Sequence, residues 1–160
     1  MTELPLHQLV EATMAAPSVH NVQPARWRIE NDALLLIEDM SRRLAVGDPT
    51  GNDAAISLGA AAEGLRIAAS RAELVAIESR SELPAATDAL RPVARFRFEP
   101  EAAIDPLAEW LDQRASWRGN FLPPTEADRT AAATLEADDA RVVVEPIALA
   151  ALARDFDRAS

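Results

Sequence analysis

The chain has 160 residues, 49% of them hydrophobic and 26% charged, with a net charge of −10, two histidines and no cysteine. That composition is ordinary for one globular domain able to bury roughly 70% of its unfolded surface. It excludes disulfides, thiolate metal sites and cysteine nucleophiles, and the acidic balance argues against nucleic acid, which needs a basic footprint. No apolar run reaches the ~20 residues that cross a bilayer, so no membrane association is expected. Met1-Thr2-Glu3-Leu4-Pro5 has neither the basic start nor the apolar run of a secretory signal, and the lack of cysteine fits a cytoplasmic protein.

Leu6, Leu9, Val10 and Met14 recur at helical spacing, which predicts an amphipathic helix from about Glu3 to Ala15. Pro17 disfavours helical geometry at Ala16 and ends it. The next stretch, Ser18-Val19-His20-Asn21-Val22-Gln23-Pro24, sets a hydroxyl, an imidazole and two carboxamides between two prolines. An ordered polar loop is expected there, of the kind on which ligand contacts are mounted. Trp27 to Glu30 alternates as a strand, Asn31-Asp32 is turn chemistry, and Ala33 to Glu38 reads as the returning strand of a hairpin.

A loop through Gly47-Asp48-Pro49-Thr50-Gly51 leads to an alanine-rich helix over Ala54 to Arg71, with Asn52 or Asp53 as its cap. Gly59 in its interior costs ~1 kcal/mol against alanine, so a packing reason is expected for it. Leu74 to Ile77 and Val93 to Phe98 read as strands, the second alternating apolar and basic residues as on a sheet with one wet face. Ser81 to Arg91 reads as loop, and Pro92, Pro100 and Pro106 punctuate the chain beyond it. A boundary between two lobes is placed at Glu101 to Pro106, giving a first lobe over 1–100 and a second over 101–160. The second lobe is predicted to hold a helix through Leu107 and Trp110-Leu111, a helix over Glu126 to Leu135, a strand over Arg141 to Glu145 and a helix over Ile147 to Arg158.

Arg114-x-Ser116-x-Arg118-x-x-Phe121 gathers two guanidiniums and a hydroxyl within five residues, a set suited to phosphate because arginine offers forked donors. A solvated basic turn balancing Glu109 and Asp112 explains the same residues. Ser18 with His20 makes no hydrolase: no G-x-S-x-G elbow exists and the other histidine, His7, lies on the first helix. No metal-ligand spacing stands out, and neither G-x-G-x-x-G nor G-x-x-x-x-G-K-[ST] is present.

Four stretches together carry a family resemblance. Ala16-Pro17-Ser18-Val19-His20-Asn21-Val22-Gln23-Pro24 resembles the flavin-site loop of the nitroreductase family, in the form found in its Acg-like branch. Asp39-x-Ser41-Arg42-x-Leu44 with Asp48-Pro49-x-Gly51, and Ile56-Ser57-x-Gly59-Ala60-Ala61, are similar to two further stretches of that branch. Arg114-x-Ser116-x-Arg118 resembles the family's phosphate motif, R-x-[ST]-x-R. Ala25 departs from the branch's tryptophan and Trp117 from its asparagine, and members of the branch are roughly twice this length.

The resemblance implies an α+β fold, a nitroreductase-like sheet flanked by helices with the second lobe incomplete. It implies FMN as cofactor, with Ser18, His20, Asn21 and Gln23 at the ring or ribityl chain and Arg114, Ser116 and Arg118 at the phosphate. The implied reaction passes hydride from NAD(P)H to an electron-poor small-molecule acceptor, of nitroaromatic or quinone type. A homodimer or pairing with a complementary chain is implied as well, through the Gly59 helix. Two alternatives stay open: a protein that holds flavin without turnover, and a truncated dimerisation partner without cofactor.

Overall fold

A computed structural model describes residues 5–100, 102–116, 119–120 and 122–134. The chain forms two compact units, residues 1–115 and 116–160. The first opens with helix α1 (Leu6–Thr13), then the hairpin strands β1 (Ala25–Glu30) and β2 (Ala33–Asp39). The long helix α2 (Asn52–Arg71) follows, then β3 (Leu74–Ser79) and β4 (Leu90–Pro100). The strands form one antiparallel sheet in the order β1-β2-β4-β3. The fold is α+β, as expected. No helix among the described residues is long and apolar enough to cross a membrane.

The core lies between α2 and one face of the sheet. Leu34 and Leu36 from β2 and Ala94 and Phe96 from β4 meet Leu58, Leu65 and Ala69 of α2, with Leu6 and Leu9 of α1 closing the side. Trp27 packs its ring on Phe96, centroids 5.8 Å apart. β2 is also buried on its other face, which is uncommon where one face of an antiparallel sheet meets water. Leu35 lies in register between Arg28 and Arg95, and those two guanidiniums converge on Glu30, at 2.6 and 3.0 Å. Long basic side chains that keep their heads in water can cover apolar surface with their stems.

β4 begins three residues earlier than the sequence pattern indicates, and Pro92 lies within it. The register with β2 slips between Leu36 and Ile37, and β3 pairs only from Arg95 onward. Pro92 therefore occupies an irregular stretch with an open edge, where a missing N–H costs least.

The cap of α2 also differs from expectation. Gly51 holds the cap position with φ of +77°, and the acceptor comes from Asp48, whose carboxylate takes the Ala54 N–H at 2.9 Å. Burial pushes the Asp48 carboxyl up, but the N–H groups of Ala54, Asp53, Asn52 and Gly51 outweigh it and hold it below the usual range. Glycine suits position 51 twice over. Its backbone is left-handed, and a Cβ there would come within 3.3 Å of the Arg43 guanidinium.

Gly59 has no packing reason among the described residues: a Cβ added there meets none of them within 4 Å. Gly59→Ala is accordingly expected to stabilise the protein by about 1 kcal/mol, read as a higher midpoint in thermal or urea unfolding. A lower midpoint would show that the glycine is needed after all.

Residues 102–114 run back along the end of α2. Asp105 N–H donates to Ser70 Oγ at 3.0 Å, and Arg71 donates to the Ala108 carbonyl and pairs with Asp112. The expected helix through Trp110 is a 3-10 helix over Ala108–Gln113. In the second unit, α3 (Glu126–Ala133) starts with a reciprocal cap: Thr125 Oγ accepts the Asp128 N–H, and the Asp128 carboxylate accepts the Thr125 N–H. The strand expected at 141–145 and the helix at 147–158 lie outside the described residues.

Candidate functional site

After Pro17 the chain makes a single tight turn over Val19–Asn21 and leaves through Gln23 into β1. His20, Asn21 and Gln23 all have positive φ, at 49°, 56° and 48°. Such geometry is uncommon for residues other than glycine, asparagine and aspartate, and here it concentrates in four positions. Local bonds hold it. The Asn21 N–H donates to the Ser18 carbonyl at 3.0 Å, and the Gln23 N–H donates to Ser18 Oγ at 2.9 Å. With Oγ engaged as acceptor, the Ser18 hydroxyl proton stays available as a donor. His20, Asn21 and Gln23 are exposed and Ser18 is half-buried.

Distant residues brace this loop. Ser57, in the second turn of α2, accepts the Val19 N–H at 3.3 Å and donates its own proton to the Asp53 carbonyl. Arg26 donates to the Gln23 carbonyl at 3.0 Å and pairs with Asp39 at 2.9 Å. Asp39 in turn accepts from the hydroxyl and N–H of Ser41, and its own N–H bonds the carbonyl of buried Pro24. The hydrogen bond from the Ser41 hydroxyl, helped by the charge of Arg26 and opposed by burial, holds the Asp39 carboxyl below its usual range. Arg114 reaches the same place, its Nε donating to the Ala15 carbonyl at 2.7 Å.

A cleft of about 40 Å³ opens between the loop, the end of α1, Trp27 and the Ser57–Ala61 flank of α2. Ser18 and Gln23 line it; His20 and Asn21 do not. Of the remaining expected site residues, Arg114 lies beside the loop, Ser116 is exposed at the start of the second unit, and Arg118 lies outside the described residues. Among the described residues no cluster of three potential metal ligands occurs.

Sequence reasoning missed the bracing roles of Ser57, Asp39 and Arg26, although Ser57 and Asp39 stand in the family-like motifs. A serine inside a helix and an aspartate followed two residues later by serine were the available signals.

The chain is similar to a curated protein of Mycobacterium tuberculosis, present in two strains, described as "Putative NAD(P)H nitroreductase acg". Identity is 34% over 91 residues, covering 57% of this chain and 27% of that protein, so the match spans about a quarter of the relative's length. The resemblance drawn from the sequence motifs is thus met by a curated relative with the nitroreductase name. Among solved structures, a nitroreductase family protein from Clostridium difficile 630 aligns with a TM-score of 0.48 and 17% identity, over 72% of this chain and 83% of that one. No family model matches the chain.

Proposed function

We propose that this chain supplies the flavin-loop portion of an FMN-dependent oxidoreductase of nitroreductase type, passing hydride from NAD(P)H to an electron-poor acceptor such as a nitroaromatic or quinone. The observation that carries this reading is the convergence of separate sequence motifs on one loop. Ser57 of I-S-x-G, Asp39 of D-x-S-R and Arg114 of R-x-S-x-R all bond to residues 15–24 or to Arg26, which holds that loop. A loop held in left-handed geometry by local bonds and braced by such distant partners is built to present side chains.

The donor set fits a flavin. Asn21 and Gln23 each offer a carbonyl acceptor and an amide donor, and Ser18 a hydroxyl, which suits the mixed polar edge of a flavin pyrimidine and the ribityl hydroxyls. His20 adds a further polar group on the outer turn. Arg114 brings positive charge beside the loop, and in this reading Ser116 and Arg118 complete the phosphate clamp.

FMN, when bound, supplies the redox chemistry, and the protein binds and orients it. The cleft of about 40 Å³ is far below the roughly 300–1,000 Å³ of enclosed small-molecule sites. The loop therefore forms one side of the site, and a second copy or a complementary chain forms the other.

Titrating the purified chain with FMN and adding NAD(P)H without oxygen tests the reading. Saturable binding followed by bleaching of the flavin absorbance is the expected result. Binding without bleaching would leave a flavin-holding protein, and no binding at saturating FMN would overturn the proposal.

A further inference from the structure

The flank of α2 turned away from the loop borders a second concavity. Ser57 and Ala61 face the loop, whereas Ala55, Gly59, Ala62 and Arg66 line a groove of about 340 Å³ between α2 and the open part of β4. Its volume lies within the roughly 300–1,000 Å³ of small-molecule sites. Leu36, Leu58 and Ala94 give it an apolar floor. On the helix side the wall is pared down, since a Cβ at Gly59 would meet none of the described residues within 4 Å.

The charges around this groove run against those of the whole chain. In a protein of net charge −10, its charged lining is Arg66, Arg80, Arg91 and one carboxylate, Glu78. Glu78 is shared by Arg66 and Arg80, at 2.5 and 2.6 Å. Arg91 pairs with buried Glu38, which Arg43 already engages. Exposed Glu63 also bonds Arg66, but the lining itself carries three guanidiniums against one carboxylate. A guanidinium has five N–H donors; Arg80, whose side chain is 77% exposed, bonds Glu78 through Nε and leaves its terminal nitrogens toward solvent.

We propose that this groove binds a small organic acid, its anionic head on Arg80 and Arg91 and its apolar body over Leu36, Leu58 and Ala94. Charge complementarity selects the head, because the surplus is positive here while the protein as a whole repels anions. The floor selects the body, because burying apolar surface supplies the non-directional part of the affinity. The site is separate from the flavin loop and does not depend on that reading.

Anilinonaphthalenesulfonate, an aromatic anion whose fluorescence rises on binding, is the probe, with neutral phenylnaphthylamine as its uncharged counterpart. Saturable one-to-one binding that weakens with salt is expected. Arg80→Ala removes an exposed charge and should weaken the sulfonate about three- to tenfold, with the neutral probe unchanged. Gly59→Gln fills the groove from a position with room for a side chain. It should weaken both probes about tenfold with the unfolding midpoint kept or raised.

Four results would overturn the proposal: no saturable binding, equal losses of both probes in Arg80→Ala, undiminished binding in Gly59→Gln, or displacement of the probe by FMN. Sedimentation adds a fifth. A dimer that dissociates in Gly59→Gln and competes with the probe would make a second copy the occupant of the groove.

Discussion

Glu38→Ala is expected to destabilise the protein by about 3 kcal/mol and to lower its thermal midpoint by roughly 10 °C. Glu38 closes the run of buried residues in β2 and is itself fully buried. Its carboxylate takes Arg43 at 2.6 Å and Arg91, its register partner on β4, at 2.5 Å. Arg43 lies over Gly51, one residue before α2 begins. One carboxylate thereby ties β2 to β4 and to the start of the central helix.

Breaking a buried pair by removing one partner costs roughly 3–5 kcal/mol. The lower end applies here, because Arg43 and Arg91 retain 29% and 49% exposure and can recover water. Glu38→Gln keeps an acceptor and should cost about half as much, since hydrogen bonds to charged partners carry roughly 1.5–3 kcal/mol.

Burial pushes the Glu38 carboxyl up, but the Arg43 hydrogen bonds and the charges of Arg91 and Arg43 outweigh burial, so it sits below the ordinary 4.5. A lowered carboxylate pKa stabilises the fold fully above the ordinary value and loses that contribution as pH falls through the folded one. Urea unfolding from neutral pH down through 4.5 should therefore show a shallower acid decline in Glu38→Gln than in the parent. An alanine variant within 1 kcal/mol of the parent at pH 7 would show that the triad contributes no more than an exposed ion pair.

Glu38 also marks where local pattern stops informing. Ala33 to Glu38 is recognisable as a strand from its apolar run and the turn before it. Nothing near Glu38 distinguishes it from a solvated strand end, because Arg91 lies 53 residues on and is joined to it only by sheet register. Gly59 misleads in the opposite direction: its cost in a helix is apparent from sequence, but the open space beside it is a property of the groove. Asn52 and Asp53 are good capping residues in the expected place. The backbone turns left-handed at Gly51, however, and the acceptor arrives from Asp48.

The loop between Pro17 and Pro24 is intermediate. Its two prolines and its polar content can be seen in the chain, and they locate it within a residue or two. The positive φ values depend on Ser18 Oγ meeting the Gln23 N–H, and the bracing on Ser57, Asp39 and Arg26. Those are contacts that side-chain type permits and only the packing of α2 against the sheet decides.

The longest of these contacts leads to the second large effect. Arg114→Ala is expected to weaken FMN about 10- to 100-fold while leaving riboflavin within about twofold. Charge-assisted bonds to phosphate contribute roughly 1.5–3 kcal/mol, and 1.4 kcal/mol is tenfold in affinity. Arg114 uses Nε on the Ala15 carbonyl, an anchor 99 residues away in sequence, and under the proposed function its terminal nitrogens would be the phosphate donors. Riboflavin lacks the phosphate, so the pair of ligands separates two roles for one side chain. If Arg114 acts only by docking residues 102–114 against the end of α1, its loss disturbs the loop and weakens both ligands alike. If it grips phosphate, the losses are unequal, and Arg114→Lys, which keeps the charge but not the fork, falls between parent and alanine. Salt adds an independent reading. Against a net charge of −10, a dianion binds only where a local cation overcomes the wider field. Raising salt should then weaken FMN in the parent, and the effect should shrink in Arg114→Ala as the attractive charge disappears. Arg118, outside the described residues, is expected to repeat the pattern on the strength of its motif. Equal losses of FMN and riboflavin in both variants would return the arginines to the fold and remove the phosphate from the site.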